Sequence, residues 1–231
     1  MKISIVVPCF NEIETIKEIT SKIVNTLNKY QYEILVIDDC STDGSLKILN
    51  EIQSNYKNIK ILSNSKNLGK GASLRKGFEE ATGEIICIQD ADLEYDPIDL
   101  IKMINLIIEG SADVVFGSRF RGNGPVRANL YINRVANFII TTLTNIFTNL
   151  SLTDIECCYK VFKKKDIQKI DLKENRFGIE PELTIKLANL NLKIFEVGIS
   201  YYGRTKDEGK KIGFTDGLRA IYCIFRYSLF K

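Results

Sequence analysis

Glu-Ile-Ile-Cys-Ile-Gln-Asp-Ala-Asp-Leu-Glu-Tyr-Asp-Pro, residues 84–97, is the stretch that indicates the fold class. Its first six residues form a short isoleucine-rich run between Thr82-Gly83 and a group of acidic residues, a pattern typical of a buried β-strand. Asp90 and Asp92 follow directly after this strand, and Pro97 marks the start of the next helix. Ligands of open α/β sheets bind outside the carboxyl ends of the strands. We therefore expect these acids to lie in a ligand site.

Three acidic side chains, Asp90, Asp92 and Glu94, follow one another within five residues. Carboxylates this close repel one another unless a cation lies between them, and their hard oxygen atoms suit Mg²⁺ or Mn²⁺ better than zinc. A metal ion held in this way usually carries phosphate groups. The simpler interpretation is an acidic turn before the helix near Pro97, where negative charge is also favourable.

The composition is that of a globular domain. Of the 231 residues, 45% are hydrophobic and 26% are charged, which fits one domain over residues 1–231 and excludes disorder. No run reaches the roughly 18 apolar residues of a membrane span, and the N-terminal apolar run is too short for a signal peptide, so we expect a cytoplasmic location. The chain has no histidine and its six cysteines lack Cys-x-x-Cys spacing, which argues against structural zinc and excludes histidine-dependent catalysis.

Charge is distributed unevenly along the chain. Residues 1–100 carry 11 basic and 16 acidic side chains, whereas residues 101–231 carry 21 basic and 13 acidic ones. The acidic part suits a metal ion, and the basic part suits an anion or an anionic membrane surface. Nucleic acid is not expected as a partner, because no aromatic and basic recognition motif accompanies the charge.

Apolar runs alternate with amphipathic segments along the chain. Strands are predicted at residues 3–8, 33–38, 59–63, 84–89, 113–118 and 194–200. Helical patterns follow the first four strands, and this alternation predicts a doubly wound, mostly parallel sheet with helices on both faces.

Two further strand ends carry candidate ligand groups. The pair Asp38-Asp39 opens an acidic turn that caps the next helix, and a nucleotide base and ribose would supply donors to a buried pair of this kind. Gly69-Lys70-Gly71 lies at the start of a helix, where backbone N–H groups and the helix dipole favour phosphate. A plain turn explains the second motif equally well.

Amphipathic and basic segments dominate the C-terminal part. Residues 129–150 and 214–231 form helical patterns with apolar stripes, which are typical of core or interface helices and, less often, of helices that rest among lipid headgroups. The run 160–176, with seven basic and three acidic residues, is typical of a solvated face and could also contact anionic lipid. The polar stretch 201–212 predicts a mobile loop that orders over a ligand.

Eight motifs occur in an order that resembles the inverting glycosyltransferases of family 2, and within that family the dolichol-phosphate (polyprenol-phosphate) mannosyltransferases. The resemblance extends from about Ile3 to the C-terminal helix. The motifs are Val-Val-Pro-Cys-Phe-Asn-Glu, Asp-Asp-Cys-Ser-Thr-Asp-Gly, Asn-Leu-Gly-Lys-Gly, Gln-Asp-Ala-Asp-Leu-Glu-Tyr-Asp-Pro, Gly-Ser-Arg-Phe, Thr-Asp-Ile-Glu-Cys-Cys-Tyr-Lys-Val-Phe, Glu-Pro-Glu and Glu-Gly-Lys-Lys-Ile.

The resemblance implies a GT-A fold, with a nucleotide-sugar half at residues 1–118 and a basic acceptor half at residues 119–231. It implies that five residues hold the nucleoside: Pro8, Phe10, Glu12, Ile37 and Asp39. Lys70 is counted with the nucleotide-sugar residues because of its place at a helix start.

The resemblance also assigns the catalytic residues. Asp90, Ala91 and Asp92 would lie against the diphosphate, with Asp92 and Glu94 as ligands of Mg²⁺ or Mn²⁺. Many members have glutamine at the position of Glu94, so a carboxylate here adds negative charge at the metal. The cations that would hold the sugar phosphate and the acceptor phosphate are Arg119, Arg204 and Lys210.

The expected reaction is transfer of a hexose from GDP-mannose or UDP-glucose to a polyprenyl phosphate, at the cytoplasmic face of a membrane and with or without a separate anchoring protein. A phosphate acceptor is already an anion at neutral pH, so it needs no general base. The close alternative is a soluble or glycan acceptor, whose hydroxyl group would need a base such as Glu180 or Glu182. A nucleotidyltransferase or a non-catalytic nucleotide-binding protein are the remaining alternatives.

Overall fold

The computed structural model describes residues 1–122, 124–128, 130–205, 207–209 and 213–230. Its centre is a seven-stranded sheet in the order β3-β2-β1-β4-β6-β5-β7. The strands are β1 (Ile3–Cys9), β2 (Tyr32–Asp38), β3 (Ile59–Ser63), β4 (Ile85–Ile88), β5 (Val114–Ser118), β6 (Lys160–Lys163) and β7 (Ile194–Gly198). All strands run parallel except β6, which is antiparallel to both of its neighbours. The mostly parallel sheet expected from the sequence is thus confirmed.

Helices cover both faces of the sheet, as expected. One face packs against α1 (Ile16–Thr26), α2 (Ser45–Asn55) and α4 (Ile98–Ile108). The opposite face packs against α3 (Lys70–Glu80), α5 (Tyr131–Thr148), α7 (Ile179–Ala188) and α8 (Phe214–Leu229). A short helix, α6 (Lys164–Ile167), follows β6. Because both faces are covered, the central strands are apolar on both sides, and the side chains of β4 are all buried.

The order of the strands creates a crevice beside β1. The chain builds outward from β1 through β2 to β3 and then returns to place β4 on the other side of β1. Such a reversal separates the loops after β1 and β4, and open α/β sheets bind ligands in that crevice. The antiparallel β6 lies next to β4, so the loop that precedes β6 reaches the same edge of the sheet.

The basic run 160–176 is solvated over much of its length, since Lys165, Lys169, Lys173 and Arg176 are exposed, but its first lysine is not. It begins with β6, and Lys160 is completely buried there. The Lys160 Nζ atom lies 2.6 Å from a carboxylate oxygen of Glu180 and donates to the backbone carbonyl groups of Ile155 and Cys157. A buried ammonium group is tolerated because all three partners compensate its lost hydration.

Candidate active site

A cavity of about 330 Å³ opens at the edge of the sheet where β1, β2 and β4 end. Eleven of the residues expected in the site line it: Pro8, Phe10, Glu12, Asp39, Lys70, Asp90, Ala91, Asp92, Glu94, Arg119 and Arg204. These residues are scattered over nearly 200 positions of sequence, and the fold brings them to one place.

Two expected residues are not part of this group. Ile37 is fully buried within β2 and packs in the core cluster between the sheet and α3, so its side chain does not reach the cavity. Ile37 lies inside β2, whereas Asp39, just past the carboxyl end of that strand, lines the cavity. Lys210 lies outside the described residues.

The carboxylate of Asp39 accepts several hydrogen bonds from other residues of the protein. Its carboxylate accepts hydrogen bonds from the Asn64 amide at 2.8 Å and from the backbone N–H groups of Leu68 and Gly69 at 2.9 and 2.7 Å. Asp38 accepts a longer bond from the Ser41 N–H group, and its Oδ1 atom has no donor among the described residues. Asp39 therefore anchors the loop before α3 while one side of it still faces the cavity.

The glycines at the start of α3 have a packing role. Gly69 has φ +99°, a conformation that favours glycine, and a Cβ atom on Gly71 would clash with the Glu174 carbonyl oxygen. The Ala72 N–H group donates to the Asn175 carbonyl at 3.0 Å. The N–H group of Ala72 thus holds Asn175 against this helix, and the N–H groups of Leu68 and Gly69 are taken by Asp39, so none of these three faces a phosphate.

Lys70 connects the cavity to a buried ionic network. Its Nζ atom lies 2.8 Å from Asp90 and 3.5 Å from Glu180, and Glu180 also pairs with Lys160. Burial opposes the charge of Lys70, but Asp90, Cys158 and Glu180 together raise its pKa well above the ordinary value. Lys70 is therefore a fixed cation beside the first aspartate of the Asp-Ala-Asp motif.

Arg204 lies among three of the cavity carboxylates. Its guanidinium group is 2.9 Å from Asp92, 3.2 Å from Glu12 and 3.5 Å from Glu94, and its backbone N–H group donates to Glu94 at 2.8 Å. Tyr201 donates its hydroxyl hydrogen to the other oxygen of Glu94. This cluster draws the segment after β7 onto the loop after β4.

The negative charge here is incompletely neutralised. Burial, then the charges of Asp90 and Glu94, raise the pKa of Asp92 to about 7, although Arg204 acts in the opposite direction. Within the described part of the chain, no three carboxylate or thiol groups converge as a ready metal site. Mg²⁺ needs only one or two protein carboxylates when substrate phosphates complete its coordination. The donor set of Asp92 and Glu94 therefore fits a divalent cation that arrives with a nucleotide.

Arg119 is fixed by the loop before β6. Its guanidinium group forms two hydrogen bonds with Asp154, at 2.6 and 2.7 Å, and lies over the ring of Tyr201. Although burial works against its charge, Asp154 raises the pKa of Arg119 above the ordinary value. A paired guanidinium of this kind keeps a fixed orientation, which suits recognition of phosphate oxygens.

The two glutamates considered as bases for a hydroxyl acceptor are engaged elsewhere. Glu182 accepts hydrogen bonds from the backbone N–H groups of Lys173 and Glu174, and it forms an ion pair with Lys186 at 2.6 Å. Glu180 pairs with Lys160 and Lys70. Neither lines the cavity. Glu182 holds the segment before α7 in place, and Glu180 links α7 to β6 and α3.

Other cavity residues were not identified from the sequence. They include Tyr95, Glu156, Cys158, Arg176, Phe177 and Tyr201. Glu156 and Cys158 lie in a motif that the sequence marks, but their side-chain positions depend on the antiparallel strand β6, which the alternation of strands and helices does not predict. Arg176 and Phe177 reach the cavity because Glu182 and Arg75 hold the preceding residues.

Comparisons with known proteins agree with this geometry. The Pyrococcus furiosus protein named dolichol-phosphate mannosyltransferase is 29% identical over 231 aligned positions, and the match covers 98% of this chain and 64% of that protein. The Rhizobium johnstonii protein named dodecaprenyl-phosphate galacturonate synthase is 25% identical, over 88% of this chain and 62% of that protein. This chain thus spans less than two thirds of the length of either relative.

Solved structures share the fold. Glucosyl-3-phosphoglycerate synthase from Mycobacterium tuberculosis, crystallised with Mn²⁺, UDP and phosphoglyceric acid, has a TM-score of 0.75 at 17% identity, over 98% of this chain and 78% of that one. S. aureus TarS has a TM-score of 0.63 at 24% identity, over 100% of this chain and 67% of that one. The chain therefore has the GT-A fold of glycosyltransferases. The sequence model described as glycosyl transferase family 2 matches residues 4–171, and the chain belongs to that family.

Proposed function

We propose that this glycosyltransferase moves a hexose from a nucleotide sugar to a polyprenyl phosphate at a membrane surface, with inversion at the anomeric carbon. The observation that carries the proposal is the arrangement of charges in the cavity. Three fixed cations, Lys70, Arg119 and Arg204, surround Asp90 and Asp92 at one edge of the sheet. A cavity of this kind suits two phosphate-bearing substrates bound together, and the printed names of two relatives specify polyprenyl phosphates.

The donor would lie along the edge of the sheet. Pro8, Phe10, Glu12 and Asp39, at the ends of β1 and β2, would contact the nucleoside, and the Asp90-Ala91-Asp92 segment would contact the diphosphate. Asp92 and Glu94 would hold Mg²⁺ or Mn²⁺, which supplies neutralisation of charge on the leaving diphosphate.

The acceptor needs orientation rather than a base. A phosphate monoester, with a second pKa near about 6, is largely a dianion at neutral pH and attacks the anomeric carbon without losing a proton. Arg119 and Arg204 would hold its oxygen atoms close to the sugar and offset repulsion between the two anionic substrates. The chain lacks histidine, and Glu180 and Glu182 are engaged in structural ion pairs, both of which agree with this chemistry.

An exposed apolar surface on α5 and α8 supports a lipid acceptor. Helices α5 and α8 pack together, with Phe147 and Phe225 in an edge-to-face contact, and both leave large apolar side chains exposed. The exposed residues of this apolar face are Leu130, Tyr131, Ile132, Phe138, Ile139, Ile146, Leu218, Tyr222, Leu229 and Phe230. In the described residues, no helix is long and apolar enough to cross a membrane. An amphipathic face of this size suits the boundary between lipid headgroups and acyl chains.

The test is release of nucleoside diphosphate by the purified protein, with Mn²⁺ and a panel of UDP- and GDP-sugars, with and without a polyprenyl phosphate. Lipid-dependent release from one donor is the expected result. Release that depends on a glycan or a soluble phosphate, and not on the lipid, would instead support the alternative acceptor. Release of pyrophosphate would indicate a nucleotidyltransferase.

A further inference from the structure

Glu156 lines the cavity and carries a buried carboxyl oxygen without a hydrogen-bond donor among the described residues. Its side chain lines the cavity together with Asp90, Arg119 and Cys158, and its Oε1 atom receives no hydrogen bond from the described residues. Buried polar atoms are almost always hydrogen-bonded in native proteins, so an oxygen without a donor on a cavity-lining residue requires an explanation. A ligand that brings its own donors is the explanation that fits its position.

The backbone around Glu156 is held rigidly. The ammonium group of Lys160 donates to the carbonyl groups of Ile155 and Cys157, at 3.1 and 2.5 Å, on either side of Glu156. Asp154 is tied to Arg119 by two hydrogen bonds. Residues on both sides of Glu156 are thus fixed, whereas its own Oε1 atom has no donor among the described residues, which is an arrangement expected of a ligand-binding residue.

The order of the strands indicates which part of a donor Glu156 would contact. Across the edge of the sheet, β2 places Asp39, β1 places Phe10, β4 is followed by Asp90, and β6 is preceded by Glu156. In a nucleotide sugar the diphosphate lies between the nucleoside and the hexose. If the nucleoside contacts Asp39 and Phe10 and the diphosphate contacts Asp90, the hexose would lie next to Asp90, beyond β4. Glu156 therefore lies at the sugar end of the cavity.

We propose that Glu156 selects the donor sugar: its carboxylate accepts hydrogen bonds from hydroxyl groups of a neutral hexose and opposes binding of a nucleotide sugar whose hexose carries a carboxylate. This inference rests on the proposed function, because it requires a nucleotide sugar in the cavity. It goes further in naming the class of sugar, a neutral hexose rather than a uronic acid.

The electrostatics of the site agree with this selection. Burial and the nearby charge of Glu180 raise the pKa of Glu156 to about 7, although Lys160 and Arg119 oppose the shift. The site is thus already unfavourable for one negative charge, and a second carboxylate beside it would add repulsion in a poorly solvated space. Hydroxyl groups would instead supply the hydrogen bond that Oε1 lacks.

The experiment measures donor binding at pH 8, where the carboxylate form prevails, in the absence of acceptor. Calorimetry compares UDP-glucose with UDP-glucuronic acid, and GDP-mannose with GDP-mannuronic acid, so that each pair differs only at carbon 6. We expect the native protein to bind the neutral donor at least about tenfold more tightly than its uronic acid partner. Glu156→Gln should reduce this ratio to about threefold or less and leave binding of free UDP or GDP unchanged.

Controls separate this inference from general effects. Glu51→Gln removes the same charge from an exposed position on α2 and should keep the native ratio. Glu156→Ser provides a second variant, and its thermal unfolding shows whether the fold is intact. An unchanged ratio in both Glu156 variants, with normal binding of free nucleotide, would overturn the inference, as would a native preference for the uronic acid donor. The binding experiment uses no acceptor, so its result stays valid even if the protein does not transfer sugar to polyprenyl phosphate. If the protein binds no nucleotide sugar at all, both proposals are overturned.

Discussion

Single residues in the cavity are held by partners that are distant in sequence. Arg204 contacts Glu12 across 192 positions, and Arg119 contacts Asp154 across 35. The motifs in the sequence identify most of these side chains, since each follows a predicted strand or belongs to a recognisable segment. The motifs do not predict which side chains form ion pairs with each other, because those contacts depend on the order of the strands in the sheet. Ile37 shows the limit of carrying a role over by position, since its side chain lies in the core.

The first residue to test by substitution is Asp92, whose carboxylate is expected to be essential for turnover. Asp92→Asn keeps its size and removes the charge that contacts Arg204 at 2.9 Å and that would hold a metal. We expect turnover to fall by about 100-fold or more, in line with the loss of one electrostatic group from an active site. The measurement is steady-state release of nucleoside diphosphate. Asp96→Asn is the matched control, because Asp96 caps α4 outside the cavity and should keep activity within about threefold.

Glu156 should make stability depend on pH. The pKa of Glu156 in the folded protein, about 7, lies above the ordinary value of 4.5. Its contribution to the free energy of unfolding is therefore fully present below pH 4.5 and is lost as the pH rises through 7. Glu156→Gln should therefore be more stable than the native protein at pH 8, by at most about 3 kcal/mol, and close to it at pH 4.5. Urea unfolding of both proteins at the two pH values measures this. An equal difference at both pH values would contradict the assignment.

Among the strands of the described residues, β6 is the one that sequence patterning misses. It is four residues long, carries lysine at both ends, and interrupts an otherwise parallel sheet. The other strands are predicted to within a few residues, because their apolar runs are bounded by turns and acids. β6 is held by pairing with β4 and β5 and by the ion pair of Lys160 with Glu180 on α7, and no local pattern in the sequence predicts these tertiary contacts.

The pair between β6 and α7 predicts a large effect on stability. Lys160→Met leaves Glu180 buried with Lys70 as its remaining ionic partner, and breaking one side of a buried pair costs about 3 to 5 kcal/mol. The double variant Lys160→Met with Glu180→Gln should recover part of this loss, because it removes the unpaired charge. Denaturant unfolding of the two single variants and the double variant measures the coupling. Additive effects in this cycle would mean that the pair contributes no coupling.

Helix α8 is tied to the cavity by one carboxylate. Arg219 and Tyr227 both hydrogen-bond to Glu174, and residues 175–177 continue from there to the cavity wall. Arg219→Ala should loosen this contact and increase amide hydrogen exchange in residues 174–178 by about tenfold, since about 1 kcal/mol of local stability is lost. Arg226→Ala, on the same helix but without a contact to Glu174, is the control. Equal exchange in both variants would show that the link is not rigid.

For the whole molecule, the apolar face of α5 and α8 predicts membrane binding. Substituting Phe138 and Ile146 by serine removes two side chains that are 68% and 70% exposed, and should reduce flotation with anionic liposomes by about tenfold or more. Ile98→Ser is the control, because Ile98 is 59% exposed but lies on α4, on the opposite face of the sheet. Donor binding should be unchanged in both variants. Equal flotation of all three proteins would contradict membrane contact through this face.

The architecture of the whole molecule follows from the sequence more closely than its charge distribution does. Regular alternation of strands and helices determines the sheet and its two covered faces. Net charge is a poorer indicator of surface charge, since Lys160, counted as part of a basic surface, is buried. Arg119 and Arg204 are paired with Asp154 and Asp92. The basic character of residues 119–231 as an acceptor surface stays a prediction.

The most direct test of the central claim compares acceptors that differ only in the phosphate group. The purified protein is given its donor with a labelled sugar, Mn²⁺, and either a polyprenyl phosphate, the polyprenyl alcohol of the same length, or a soluble phosphate such as 3-phosphoglycerate. We expect label in the organic phase with polyprenyl phosphate alone, because the cations of the cavity hold a phosphate and a phosphate oxygen attacks without losing a proton. Transfer to the alcohol at a similar rate, or preferential transfer to the soluble phosphate, would contradict it.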